Sequence, residues 1–266
     1  MHGFSGTPGE LRPLAERLAR HGYSVEAPLL AGHGGSQDEL AAVTWRDWVS
    51  SAQQALDALR TRCETVVLIG FSMGGAITLY LAAAAGNQGD QANNTAQPIA
   101  GIVTMSALTR INSPLTVLLP IARRVMPYIY PLRLRGIDLS KPDVVARLRD
   151  YIPDLQVDAS KPDEIAALRR SIKVSVGAVY QLDVLLRHMR AALPRVTAPA
   201  LLIQASHDEQ IPLTSIDEIY RRIGSRDKQV VRLARSGHML LAGPERDDVI
   251  ARVTAFVEHI GRTVGT

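Results

Sequence analysis

One stretch limits what this chain can fold into more than any other. The apolar, β-branched run of residues 65–70 (TVVLIG) passes without a linker into Gly70-Phe71-Ser72-Met73-Gly74, and then into a helical pattern over residues 76–85. A short continuous apolar run stopped by glycine reads as a strand buried on both faces. Such a strand needs helices above and below its sheet, and the remaining chain supplies them. Residues 11–21 form an amphipathic pattern closed by Gly22, residues 24–27 a short strand, and Trp45–Arg60 a helix with Trp45, Trp48, Val49, Ala52, Leu56 and Leu59 along one face. Ile99–Met105, 200–204 and 229–233 read as further strands, and 249–260 as a last amphipathic helix. This alternation predicts an α/β architecture, a mostly parallel central sheet flanked by helices.

Between the strands at 99–105 and 200–204 lie roughly ninety residues without a convincing sheet strand, too long for a simple connection. The expected organisation is therefore a core built from residues 1–106 and 193–266, interrupted by an inserted helical lid or cap at 107–192. Residues 86–97 (GNQGDQANNTAQ) are polar and without periodicity, and read as a surface loop. The formal charge is +4, but residues 107–195 carry 15 basic and 8 acidic residues, which leaves the rest of the chain net acidic. The arginines there alternate with Asp and Leu at helical spacing and no nucleic-acid motif accompanies them, so a solvated helix face is favoured over a nucleic-acid surface. The single cysteine, Cys63, excludes an internal disulfide framework and fits a reducing compartment. No signal peptide is visible, and the most lipid-like stretch, residues 114–132, contains Arg123, Arg124 and four prolines, which a bilayer-spanning helix does not tolerate. A cytoplasmic location is expected.

The Gly70–Gly74 segment matches Gly-x-Ser-x-Gly, which alone is a weak signal. Its position between a strand and a helix is where a nucleophile elbow belongs, because the tight turn holds the serine hydroxyl out above the sheet and demands small neighbours. A serine hydroxyl needs a base, and the base needs an acid to orient it. In chain order Ser, acid, His, the candidates are Ser72, Asp208 and His238. Asp208 follows the strand ALLIQ and His238 follows QVVRL, both just past carboxyl ends of strands, where open α/β sheets bind ligands. Glu209 would serve only with the loop shifted by one residue. His207 precedes the acid, His188 lies in the insert, and His33 in Gly32-His33-Gly34 reads as a structural hydrogen-bonder. Two backbone N–H groups should face the developing oxyanion. Met73 follows the nucleophile, and Phe4 belongs to the turn His2-Gly3-Phe4. No metal and no cofactor are expected.

The segments MHGFSGTPGELRPLAERLARHGYSVEAPLLAGHGGS, TWRDWVSSAQQAL, VVLIGFSMGGAITLYLA, LPRVTAPALLIQASHDEQIP and SGHMLLAGPERDDVI resemble the bacterial monoacylglycerol lipase and thermostable carboxylesterase family of the α/β-hydrolase superfamily. The likeness covers both flanks, 3–106 and 193–260. It implies hydrolysis of carboxylic esters of glycerol and small alcohols without a metal, under a small helical lid. Carried onto this sequence, Ser72, Asp208 and His238 are the triad, and Phe4 and Met73 supply the oxyanion hole. The implied partner is a small-molecule or lipid ester, with no nucleic acid.

Two departures from the family pattern stand out. Relatives carry roughly twenty residues before the His-Gly-Phe turn, including a central strand, and here the turn follows Met1 directly. The expectation is that N-terminal strands are missing from this chain and that the natural protein begins upstream. The apolar stretch 115–130 with Arg123 and Arg124 also looks longer than a compact lid. It can be read as an interfacial lid in transient contact with lipid, which suits a triacylglycerol lipase, or as a cap over the acyl pocket. A carbon–carbon bond hydrolase, an acyltransferase and a non-catalytic ligand receptor use the same frame and stay open.

Overall fold

The computed structural model describes residues 1–86, 98–130, 158 and 160–264. The expected loop 86–97 thus falls almost entirely outside the described residues, as does the part of the insert at 131–157. The strands are β1 (Val66–Phe71), β2 (Ile99–Met105), β3 (Tyr128–Ile129), β4 (Val174–Ser175), β5 (Ala200–Ala205) and β6 (Lys228–Leu233). The longer helices are α1 (Arg12–Arg20), α2 (Gln37–Ala42), α3 (Trp45–Arg60), α4 (Met73–Gly86), α5 (Leu119–Val125), α6 (Pro162–Ser171), α7 (Val176–Ala192), α8 (Ser215–Arg222) and α9 (Arg246–Val264).

Four strands form one parallel sheet in the order β1-β2-β5-β6. Their side chains alternate between two cores. Val66 and Leu68 of β1, with Ala200 and Leu202 of β5, face a cluster built by α3, α4 and α7. Phe71, with Leu201, Ile203 and Ala205, faces the opposite cluster built by α1 and α9. This period-two division is why β1, β2 and β5 read as nearly continuous apolar runs, since both their faces are largely buried, whereas β6 at the sheet edge is exposed or half-buried along most of its length. Helix α4 is apolar all round because it is enclosed, with Met73–Leu79 and Leu81–Ala83 all buried. Helix α7 buries Leu182, Leu185, Leu186 and Met189 in the same cluster.

The register aligns the carboxyl ends. Phe71 pairs with Met105, Met105 with Ile203, and Ala205 with Leu233. Each strand end then carries one further ladder bond, from the N–H of Ser72 to the Met105 carbonyl, Ser106 to Ile203 and Ser206 to Leu233, all 2.8 Å. The three loops that leave this edge therefore start from a common, tied level.

One expected element differs. Residues 24–27 are not a strand, although β1 runs nearby. An apolar cavity of about 280 Å³, lined by Leu14, Leu18, Val25, Leu56, Val66 and Leu68 among others, separates that segment from β1. A ladder needs a neighbour within about 5 Å, and across the cavity there is none. On the same side of β1, Met1 makes two bonds in its place: its amino group donates to the Ile69 carbonyl (2.7 Å), and its carbonyl accepts from the Phe71 N–H (3.0 Å).

The described residues of the expected insert comprise a 3-10 turn (Pro114–Leu118), α5, the antiparallel pair β3–β4, α6 and α7, of which α7 packs into the core. The Arg123 guanidinium lies 4.1 Å over the Tyr180 ring and ties α5 to α7. Leu115, Val117, Ile121 and Val125 are exposed.

Candidate active site

Ser72 sits between the end of β1 and the start of α4 with φ +53°, in the left-handed region. For a residue with a side chain this conformation is strained, and the surroundings must hold it there. They do so from both sides. The Ser72 N–H is bound to the Met105 carbonyl, and its carbonyl accepts from Gly75 (3.0 Å) and Ala76 (3.3 Å) to open α4. The flanking glycines are required by contact. A Cβ on Gly70 would collide with the Gly74 carbonyl, and one on Gly74 with the carbonyls of Met1 and His2. Gly74 thus lets the N-terminal loop press against the turn that carries Ser72.

The structure brings the three expected side chains together. Ser72 Oγ is 3.2 Å from His238 Nε2, and His238 Nδ1 is 2.9 Å from Asp208 Oδ2. All three are buried. The other Asp208 oxygen accepts the N–H groups of Gln210 and Ile211, both at 3.0 Å. Burial opposes ionisation of Asp208, but the hydrogen bond and charge of His238, with these two N–H groups, outweigh it and hold the carboxyl below its usual value. An ionised Asp208 makes His238 Nδ1 the donor and leaves Nε2 free to accept from the serine hydroxyl. The Phe71 ring leans on the imidazole at 4.9 Å and limits its rotation. Glu209 and His207, the neighbours of Asp208, point to solvent. His188 lies on α7, stacked on Trp45 at 4.9 Å.

The two expected backbone donors come from separate segments, the start of α4 and the N-terminal loop. Met73 is the first residue of α4, so its N–H has no helical partner. Phe4 lies in the loop at His2–Gly6. There the Gly3 carbonyl accepts from His2 Nδ1 (2.9 Å) and from the Gly6 N–H (3.2 Å). The Gly3–Phe4 peptide is trans, so the Phe4 N–H projects away from those donors. The Phe4 carbonyl is held by His33 Nε2 at 2.8 Å, and His33 Nδ1 reaches the Ala31 carbonyl at 3.0 Å. His2 Nε2 accepts from the Leu30 N–H (3.1 Å). Burial lowers the His2 pKa to about 4, which keeps the ring neutral as that acceptor role requires.

Two residues near the carboxyl ends of the strands carry no signal in the sequence. Glu245 grips the loop before His238, and nothing in its spacing separates it from Asp247 and Asp248. Ser106, at the end of β2, takes φ +46° with its hydroxyl buried and unpartnered among the described residues. No cluster of His, Cys, Asp or Glu suited to a metal occurs among the described residues, and no helix there is long and apolar enough to cross a membrane.

The family model described as serine aminopeptidase, S33, matches residues 1–245. The chain is 31% identical over 262 residues to the thermostable monoacylglycerol lipase of Bacillus sp. (strain H-257), covering 98% of this chain and 90% of that protein. It is 25% identical to a carboxylesterase of Bacillus subtilis (strain 168), covering 98% and 91%. Among solved structures, one from work on the metagenome-derived lipolytic enzymes LipS and LipT superposes with a TM-score of 0.74 at 30% identity, covering 97% of this chain and 91% of that one.

Proposed function

The chain belongs to the serine aminopeptidase S33 family of α/β-hydrolases, and on that premise we propose that it hydrolyses monoacylglycerols or short-to-medium-chain acyl esters through an acyl-enzyme on Ser72. It is a carboxylic ester hydrolase, in keeping with its lipase and carboxylesterase relatives. The observation that carries the finer reading is the continuous hydrogen-bonded line from Ser72 Oγ through His238 to Asp208.

In this mechanism His238 Nε2 takes the hydroxyl proton as Ser72 attacks the ester carbonyl. The carbonyl oxygen becomes an oxyanion that the N–H groups of Phe4 and Met73 receive. Asp208 keeps Nδ1 protonated and stabilises the imidazolium. His238 then protonates the departing glycerol or alcohol, and water deacylates Ser72 by the same steps in reverse. Of residues 107–192, the part before α7 acts as the lid or cap while α7 packs in the core, and the exposed Leu115, Val117, Ile121 and Val125 support contact of α5 and its preceding turn with a lipid interface.

The test is a panel of p-nitrophenyl esters from C2 to C16 with mono- and triacylglycerols, run on wild type and Ser72→Ala. Turnover of monoacylglycerol and the shorter esters, lost in Ser72→Ala, is the expected result. Preference for emulsified triacylglycerol would move the reading to an interfacial lipase. Transfer of the acyl group to an added alcohol in preference to water would make it an acyltransferase, and an inactive wild type that resists fluorophosphonate labelling would make it a receptor.

A further inference from the structure

Glu10 has no place in the mechanism above, yet its carboxylate is turned inward beside the site. It stands on the 3-10 turn Pro8–Leu11, and Oε2 accepts the Gly3 N–H at 2.9 Å. The carboxyl lies against the Cα of Gly6, where any side chain would collide with it. Gly3 in turn faces the Phe71 ring, 3.4 Å from where a Cβ would stand, and that ring leans on His238. Glu10 therefore sits inside the curl of the His2–Gly6 loop and holds it from within.

From this geometry we infer that Glu10 is a positioning residue for the reaction, which fixes the Phe4 N–H by anchoring the Gly3 N–H one peptide earlier. The inference rests on the assignment of Phe4 as an oxyanion donor. The Gly3–Phe4 peptide is held at its carbonyl by His2 and Gly6, and the His2–Gly3 peptide before it is held at its N–H by Glu10, so Glu10 ties the second of the two peptides that meet at Gly3. Burial pushes the Glu10 carboxyl above its usual range, with the Gly3 N–H, His238 and the amino group of Met1 pulling the other way. A charged acceptor makes the stronger bond to a backbone N–H, but reach is what the anchoring needs.

Reach and charge separate experimentally. Glu10→Gln keeps an acceptor oxygen at the same length without the charge. Glu10→Asp keeps the charge and withdraws it by one methylene. On p-nitrophenyl butyrate, Glu10→Gln should retain kcat within about threefold, while Glu10→Asp and Glu10→Ala should lose tenfold or more with KM within about twofold, since a displaced donor acts on the transition state. Thermal melting of each variant shows that the compared proteins are folded, and Glu10→Asp, the smaller change, serves if Glu10→Ala does not fold. Wild-type kcat in Glu10→Asp, or a Glu10→Gln as impaired as Glu10→Ala, would overturn the anchoring role. Failure of the esterase reading itself would show separately, as full turnover by Ser72→Ala or none by wild type.

Discussion

Glu245 accepts both the N–H of Ser236 (2.8 Å) and its hydroxyl (2.7 Å), two residues before His238. The same carboxylate takes the N–H groups of Ala234 (3.1 Å) and Arg235 (2.9 Å), so one side chain from the start of α9 ties down the whole approach to the imidazole. The hydroxyl of Ser236 and these N–H groups hold Glu245 below the usual carboxylate range. Glu245→Ala should lower kcat on p-nitrophenyl butyrate by roughly tenfold, with KM little changed, because a small displacement of His238, the proposed base, is costly. Wild-type kcat in that variant would show that the loop holds itself.

Ser72 is both the proposed nucleophile and a strained residue. Ser72→Ala should lower kcat by roughly 10⁴-fold. Its φ of +53° adds a second expectation. Ser72→Gly should be more stable than Ser72→Ala by about 1 kcal/mol, since glycine alone adopts that conformation without a Cβ penalty. Urea unfolding of the two variants in one buffer measures the difference, and an alanine variant as stable as the glycine one would remove the case for strain.

His2 makes stability depend on pH. Its folded pKa of about 4 lies below the 6.5 of a free histidine, so the unfolded chain binds the proton more readily than the folded one. The associated stability is complete above pH 6.5 and is lost as pH falls from there towards 4, by as much as ~3 kcal/mol. Asp208 adds a loss of the same sign at lower pH, below the usual carboxylate value. Unfolding midpoints at pH 7.5 and 5 should differ in wild type and differ less in His2→Gln. Equal differences in the two proteins would mean that other groups govern this range.

Gly74→Ala tests the packing of the N-terminal loop on the elbow. The added methyl would meet the Met1 and His2 carbonyls, which are backbone and cannot swing aside. The expected outcome is a destabilisation of about 1–3 kcal/mol and a fall in kcat of roughly 10²-fold through displacement of Phe4. A variant with unchanged melting and turnover would show that the loop accommodates the methyl freely.

Much of this arrangement is legible along the chain, for a local reason. Strand β1, the turn at Ser72 and α4 follow one another without interruption, and burial on both faces marks each of them by composition alone. Trp45–Arg60 and Ile99–Met105 match the expected bounds in full. Asp208 and His238 are readable because each follows a strand, and parallel strands deliver their carboxyl ends to one edge. The exception is 24–27, which has the composition of a strand but lies across a cavity from β1. Strand identity depends on a partner, and the partner is not encoded in the segment itself.

The sequence alone determined the α/β class, the place of Ser72 on a strained turn, and the order in which an acid and a base follow it, because these are set by residues adjacent in the chain. Tertiary structure decided that Asp208 and not Glu209 reaches His238. It also decided that Glu10 and Glu245, two carboxylates alike in sequence to many surface ones, turn inward to hold the loops bearing Phe4 and His238. A carboxylate's role depends on which backbone N–H groups the fold leaves without partners near it, and that is fixed only when distant segments meet.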